Sequence, residues 1–109
     1  MKYCCYMSQR DGTCYHEFQK GEFLGQYWSE DSLLIHDVLL HRLELNRLLR
    51  SVIPTYDIYS ATRVTSDLWD KVYDKAQELG GELLAAVEEI DAWAEETFNE
   101  YDSFTIIGI

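Results

Sequence analysis

Proline occurs once in this chain, at Pro54, and no serine- and glycine-rich stretch accompanies it, so the sequence offers no flexible linker. Long apolar runs are missing too. No stretch reaches the roughly 18 consecutive apolar residues that a membrane span needs. Met1-Lys2-Tyr3-Cys4-Cys5-Tyr6 has neither an extended apolar core nor a small-residue cleavage site, which predicts that it is not a secretory signal. Cysteine is sparse and odd in number: Cys4, Cys5 and Cys14. Three cysteines fit a reducing compartment better than a disulfide framework, and the expected location is the cytoplasm. Glycine-rich phosphate loops, Ser/His/Asp signatures, D-x-D-x-D-G calcium loops and basic nucleic-acid patches are all lacking, as are internal repeats. Bases are the scarcest charged class, nine Lys and Arg against twenty Asp and Glu, for a net charge of −11.

The acids are unevenly placed. Between Ser66 and Asp102 stand twelve acids and two bases, Lys71 and Lys75, a net of −10; the rest of the chain carries −1. Such a field repels nucleic acid and anionic membrane and attracts basic surfaces. Hydrophobic residues make up 47% of 109, enough for one cored domain spanning residues 1–109.

The pattern predicts an α+β domain. Lys2 to Gln9 reads as a strand, Asp11-Gly12 as a hairpin turn, and Thr13 to Phe18 as the returning strand. Phe23 to Trp28 reads as a third strand or a packed loop. A first helix is expected from Glu30 to Ser51, capped by Ser29 and stopped before Pro54. Leu34, Val38, Leu45, Leu48, Leu49 and Val52 line one face of it, whereas Leu33, Leu40 and Leu43 project oppositely. That leaves a helix sandwiched between two elements or carrying an exposed apolar strip. Tyr56 to Tyr59 is a further strand candidate. Thr65 or Ser66 caps a second helical region. The apolar stripe Leu68, Val72, Ala76, Leu79, Leu83, Val87, Ile90, Ala94, Phe98 and Tyr101 keeps its phase across Gly80-Gly81, which favours one long helix, bent at the glycines, over two. Phe104 to Ile109 reads as an inner strand. The expected architecture is a small, mainly antiparallel sheet, formed by the N-terminal hairpin and the C-terminal strand, with both helical elements on one face.

Cys4, Cys5, Cys14 and His16 do not have the spacing of a zinc site, because adjacent strand residues point to opposite faces and no C-x-x-C pair is present. Cys14 and His16 share a strand face, but nothing marks a nucleophile elbow or oxyanion hole. His36 and His41 are five apart, unlike metal pairs at three or four; His41 reads as partly buried and hydrogen-bonded. Trp28, Trp69 and Trp93 read first as core. Arg42, Arg47 and Arg50 form a small basic cluster expected to pair with the acidic helix or to sit in solvent. No cofactor, metal or catalytic residue is expected.

The remaining signal is the acidic face: Asp70, Asp74, Glu78, Glu88, Glu89, Asp91, Glu95 and Glu96. Solvated faces usually mix lysine with glutamate, since like charges at i,i+4 repel by a few tenths of a kcal/mol. Here Asp70/Asp74, Asp74/Glu78 and Asp91/Glu95 are like-charged pairs, so the face reads either as a binding surface or as a plainly solvated one. In its small size, acidity and lack of motifs, with the acidic run from Asp67 to Asp102, the chain resembles bacterial toxin-immunity proteins. That resemblance implies a cytoplasmic inhibitor of a basic toxin or effector domain, many such targets being nucleases, with no nucleic-acid or membrane partner of its own. The alternatives are a nucleic-acid mimic that sequesters a DNA-binding regulator, and a structural subunit or homodimer built on Leu33, Leu40 and Leu43.

Overall fold

The computed structural model describes all 109 residues. Five strands, β1 (Cys4–Tyr6), β2 (Tyr15–Lys20), β3 (Leu33–His36), β4 (Ala61–Thr65) and β5 (Ser103–Ile107), form one antiparallel sheet in the order β1-β3-β2-β5-β4. Four helices, α1 (Asp37–Arg42), α2 (Leu45–Val52), α3 (Ser66–Leu79) and α4 (Gly81–Phe98), complete the α+β fold. None is long and apolar enough to cross a membrane.

The helices cover one sheet face. Phe18, Leu33, Ile35, Val64, Phe104 and Ile106 alternate onto that face and join Trp69, Val72, Val87, Ile90 and Trp93 in one core. Phe104 is its centre: its ring meets those of Phe18, Trp69, Trp93 and Phe98 at centroid distances of 5.4–5.9 Å. β5 is buried along its whole length between β2 and β4, as its apolar, β-branched sequence predicts.

Several local expectations are corrected. β1 and β2 do not pair as a hairpin; β3 lies between them, with Cys5 opposite Leu34 and Phe18 opposite Leu33. A short 3₁₀ turn, Met7–Gln9, begins the connection through Gly12. A local turn signal fixes where the chain bends, not which strand it then pairs with. The helix expected from Glu30 becomes a strand and two short helices. Leu33-Leu34-Ile35 is an inner strand buried on both faces, and such a continuous apolar run has no period to distinguish it from a helix. His36, rather than Ser29, caps the following helix: its Nδ1 accepts from the Val38 amide at 3.1 Å. Glu44, at φ 60°, separates α1 from α2. Consequently Leu33, Leu40 and Leu43 are 0%, 0% and 7% exposed, belong to the core, and form no apolar seam for a second copy. Val38, expected inward, is exposed. Tyr56 to Tyr59 is a turn, and the strand begins at Ala61.

The long helix is two helices. Gly80 and Gly81 both take left-handed φ, 65° and 64°, and the chain reverses there. Trp69 Nε1 donates to Asp91 Oδ1 at 2.8 Å, although one continuous helix would hold these residues about 33 Å apart. The stripe keeps its phase because both helices bury their apolar faces in the same core, but Leu79, beside the break, and Tyr101, beyond the end of α4, are exposed and do not belong to it.

The C-terminal tail crosses back over the 58–60 turn, with Gly108 N donating to Ser60 O and Ile109 N to Ile58 O, both at 3.0 Å. A Cβ at Gly108 would overlap the Ile58 carbonyl, which is backbone and cannot rotate away. Gly108→Ala is expected to lower stability by about 2 kcal/mol through this overpacking, seen as a lower urea midpoint at unchanged m-value. An unchanged midpoint would show that the tail is not held against the turn.

Candidate acidic helical surface

The surface is built from the α3–α4 hairpin. Thr65 caps α3, its hydroxyl accepting from the Leu68 amide at 3.4 Å. Trp69, Val72 and Ala76 face the core from α3; Ala86, Val87, Ile90, Trp93, Ala94 and Thr97 do so from α4. The remaining positions point outward and carry the acids.

The structure sorts the eight candidate carboxylates. Asp70, Asp74, Glu88 and Glu95 are exposed and make neither an ion pair nor a side-chain hydrogen bond. Glu78 pairs with Lys75 at 3.5 Å and Glu96 with Lys20 at 3.3 Å, both at the surface. The other two are occupied inside the fold. Glu89 accepts from the backbone amides of Lys2, Tyr3 and Cys4 at 2.8–3.2 Å, pinning the N-terminus and β1 to α4. Asp91 takes the Trp69 indole and locks α3 to α4. A sequence pattern shows which acids share a helix face, but not which meet an amide or an indole from elsewhere in the chain.

Tyr73 completes the surface, and sequence reasoning did not single it out among eight tyrosines. It lies one turn from Asp70 on α3. Glu88, Asp91 and Glu95 follow one another at i,i+3,i+7 on α4, and so share one stripe. Partial burial, and then the carboxylates of Glu88, Asp91 and Glu95, push the Tyr73 phenol above its ordinary value. An aromatic ring in a field of carboxylates accepts a guanidinium or ammonium both through its face and through the surrounding charge.

The basic cluster on the preceding helices divides. Arg42 reaches across to Glu82 at 3.2 Å, Arg47 pairs locally with Glu44 at 3.0 Å, and Arg50 stands at the mouth of a cleft of about 380 Å³ with Asn46, Tyr56 and Tyr59. Hydrogen bonds from Tyr3 and Arg42 hold the Glu82 carboxyl below its usual range.

All three histidines meet at the start of α1. His16, fully buried, donates from Nε2 to Asp37 Oδ1 at 2.7 Å, and His41, about half exposed, reaches the same oxygen at 3.2 Å. His41 Nδ1 faces Asn46 at 3.4 Å. Because a carboxylate only accepts, His16 Nε2 carries the proton; its Nδ1 is buried without a partner. Burial pushes the His16 imidazole below its ordinary value, against the opposing pull of Asp37 and with the smaller help of His41 and His36. The hydrogen bond from His16 pushes the Asp37 carboxyl down. Tyr56, whose hydroxyl is also buried and unpartnered, is raised to about 12 by burial and then by Asp37 and Asp57.

Because the folded state binds the His16 proton more weakly than the unfolded state, stability is full above about pH 6.5 and falls as pH drops through the depressed folded value. Asp37 adds a loss of the same sign, below about pH 4. The urea midpoint is expected to fall between pH 7 and pH 5, and His16→Gln to flatten that slope. An equal slope in the variant would place the dependence on other groups.

Cys4 is buried, and its thiol is raised by that burial and by Glu89; Cys5 is raised by burial; Cys14 is exposed. No three His, Cys, Asp or Glu side chains are grouped as a metal ion would need. No protein family, curated protein or solved structure matches the chain.

Proposed function

We propose that this chain is a small acidic binding protein that neutralises a basic protein partner through the outer face of α3 and α4, acting by occlusion rather than catalysis. The partner class that fits best is a toxin or effector domain, a nuclease above all, since an enzyme that binds an anionic substrate presents a basic site. The chain would then serve as the immunity protein of a bacterial cell, in its cytoplasm.

The observation that carries this reading is the state of Asp70, Asp74, Glu88 and Glu95. Four exposed carboxylates stand on one helical hairpin without an ion-pair partner, and two of them, Glu88 and Glu95, flank a partly exposed tyrosine. A merely solvated face would gain a few tenths of a kcal/mol per pair from alternating lysine with glutamate. Unpaired like charges instead raise the rate of encounter with a basic surface and select against other partners.

The test is capture from native lysate on the immobilised protein, washed at rising salt. A basic protein released by salt supports the reading, because screening weakens exposed charge contacts most. Recovery of the bait alone, or capture indifferent to salt, would sink it.

A further inference from the structure

The cleft beside α2 is walled by that helix and by the turn that follows Pro54, and its volume of about 380 Å³ is that of a small-molecule site. Two charged residues of opposite sign line it, Arg50 and Asp57, and no others do. They do not pair with each other, and neither makes an ion pair elsewhere. The charges on adjoining elements are already taken: Arg47 by Glu44, and Asp37 by His16 and His41. Tyr56, 9% exposed, forms part of the wall, and its hydroxyl has no hydrogen-bond partner in the fold. A buried hydroxyl left unpaired is costly, so this one calls for a partner. Asp57 is one of the two carboxylates that raise it, which sets the hydroxyl in the field of the cleft's own acid. Asn46 adds an acceptor. Because Asp37 only accepts, His41 Nε2 carries the proton toward it; His41 Nδ1 then accepts from Asn46 Nδ2 at 3.4 Å, and Asn46 Oδ1 is left over. The turn is held in place. Asp57 Oδ1 accepts from Tyr59 N at 2.8 Å, and the carbonyls of Ile58 and Ser60 take the amides of the C-terminal tail.

We propose that this cleft binds a small zwitterion of the α-amino-acid class, its carboxylate taken by the Arg50 guanidinium and the Tyr56 hydroxyl and its ammonium by Asp57 and Asn46 Oδ1. The chemistry of the wall selects both charges at once. A guanidinium matches a carboxylate with two parallel hydrogen bonds. A ligand that was only an anion would bring its charge against Asp57, and one that was only a cation would bring its charge against Arg50. An α-amino acid carries the two groups on one carbon and can answer both. Tyr59, which lines the same cleft and is 80% exposed, offers its ring to the ligand's side chain. A wall already fixed by the fold loses little ordering entropy on binding. None of the four unpaired carboxylates of α3 and α4 lines this cleft, so the site is independent of the acidic-helix reading.

The test is NMR titration of the intact, isotope-labelled chain with each of the common L-α-amino acids in turn. The best binder is then compared with two analogues of it, the acid lacking the amino group and the amine lacking the carboxyl. At least one amino acid is expected to shift the amides of Thr55 to Tyr59 with a Kd of about 1 mM or tighter, and both analogues to bind at least tenfold more weakly. Arg50→Gln and Asp57→Asn should each lose at least tenfold in affinity. Both should keep the fold, since Arg50 makes no ion pair and asparagine retains the oxygen that accepts from Tyr59 N. Tyr56→Phe should also bind more weakly while its urea midpoint does not fall, because the hydroxyl has no partner to lose. A chain carrying Asp70→Lys, Asp74→Lys, Glu88→Lys and Glu95→Lys should bind as the parent does. The proposal is overturned if no amino acid shifts these amides, or if the Arg50 and Asp57 variants bind as tightly as the parent. An acid analogue that binds as tightly as the amino acid would overturn it too, and would make the cleft a site for anions alone.

Discussion

Replacing Asp70, Asp74, Glu88 and Glu95 together by lysine is expected to weaken binding of the captured basic partner by about 100-fold or more, about 2.7 kcal/mol. Most of the loss should appear as slower association, because exposed charges act chiefly on encounter. The fold should survive, with stability changed by no more than about 1 kcal/mol. None of the four side chains makes an ion pair, and all are exposed. Glu89 and Asp91 must be left alone in this experiment. Changing Glu89 would free three backbone amides at β1, and changing Asp91 would orphan the Trp69 indole, so lost binding there would report lost structure. Association rate against salt, for the parent and the fourfold variant, is the measurement. The parent should slow steeply with salt and the variant hardly at all.

Glu17→Ala is expected to lower stability by about 3 kcal/mol, since a buried carboxylate with four donors vanishes and two amides and a hydroxyl are left without a partner. For a chain of this length that corresponds to a melting temperature lower by about 12 °C. The damage should be local first. Amide hydrogen exchange is expected to quicken from Gly21 to Ser32 and to stay slow in β5 and α4, where the core residues lie. Uniformly faster exchange would mean that Glu17 supports the whole sheet and not the loop.

Much of this fold was legible, and the failures have physical causes. The inner strand β5 was legible because Phe104 to Ile107 is apolar and β-branched, and such a run has few alternatives. The cap of α3 was legible to within one residue, Thr65 or Ser66, because capping is local. β3 was not, because Leu33-Leu34-Ile35 is equally apolar as helix or strand, and only pairing with β1 and β2 decides. The pairing of β1 with β3 instead of β2 is likewise non-local, so the turn at Gly12 could not reveal it. The helix break at Gly80-Gly81 was marked by the glycines, but the unbroken stripe outweighed them.

The acidic face was legible as helical spacing and charge. Its division into free carboxylates and structural ones was not, since that depends on what the amides of Lys2 to Cys4 and the indole of Trp69 find nearby. The loop from Gly21 to Ser32 was the least legible part. Glu17 reads as an ordinary strand acid. Only the length of the following segment and its aromatic content hinted that something other than a turn lay there.

The most direct measurement of the central claim is carboxyl footprinting by carbodiimide labelling, read by mass spectrometry, with and without the captured basic partner. Glu17, buried in the fold, is the internal reference. The account predicts protection of Asp70, Asp74, Glu88 and Glu95 in the complex. Undiminished labelling of those four in the complex would contradict it and assign the binding of that partner to another surface.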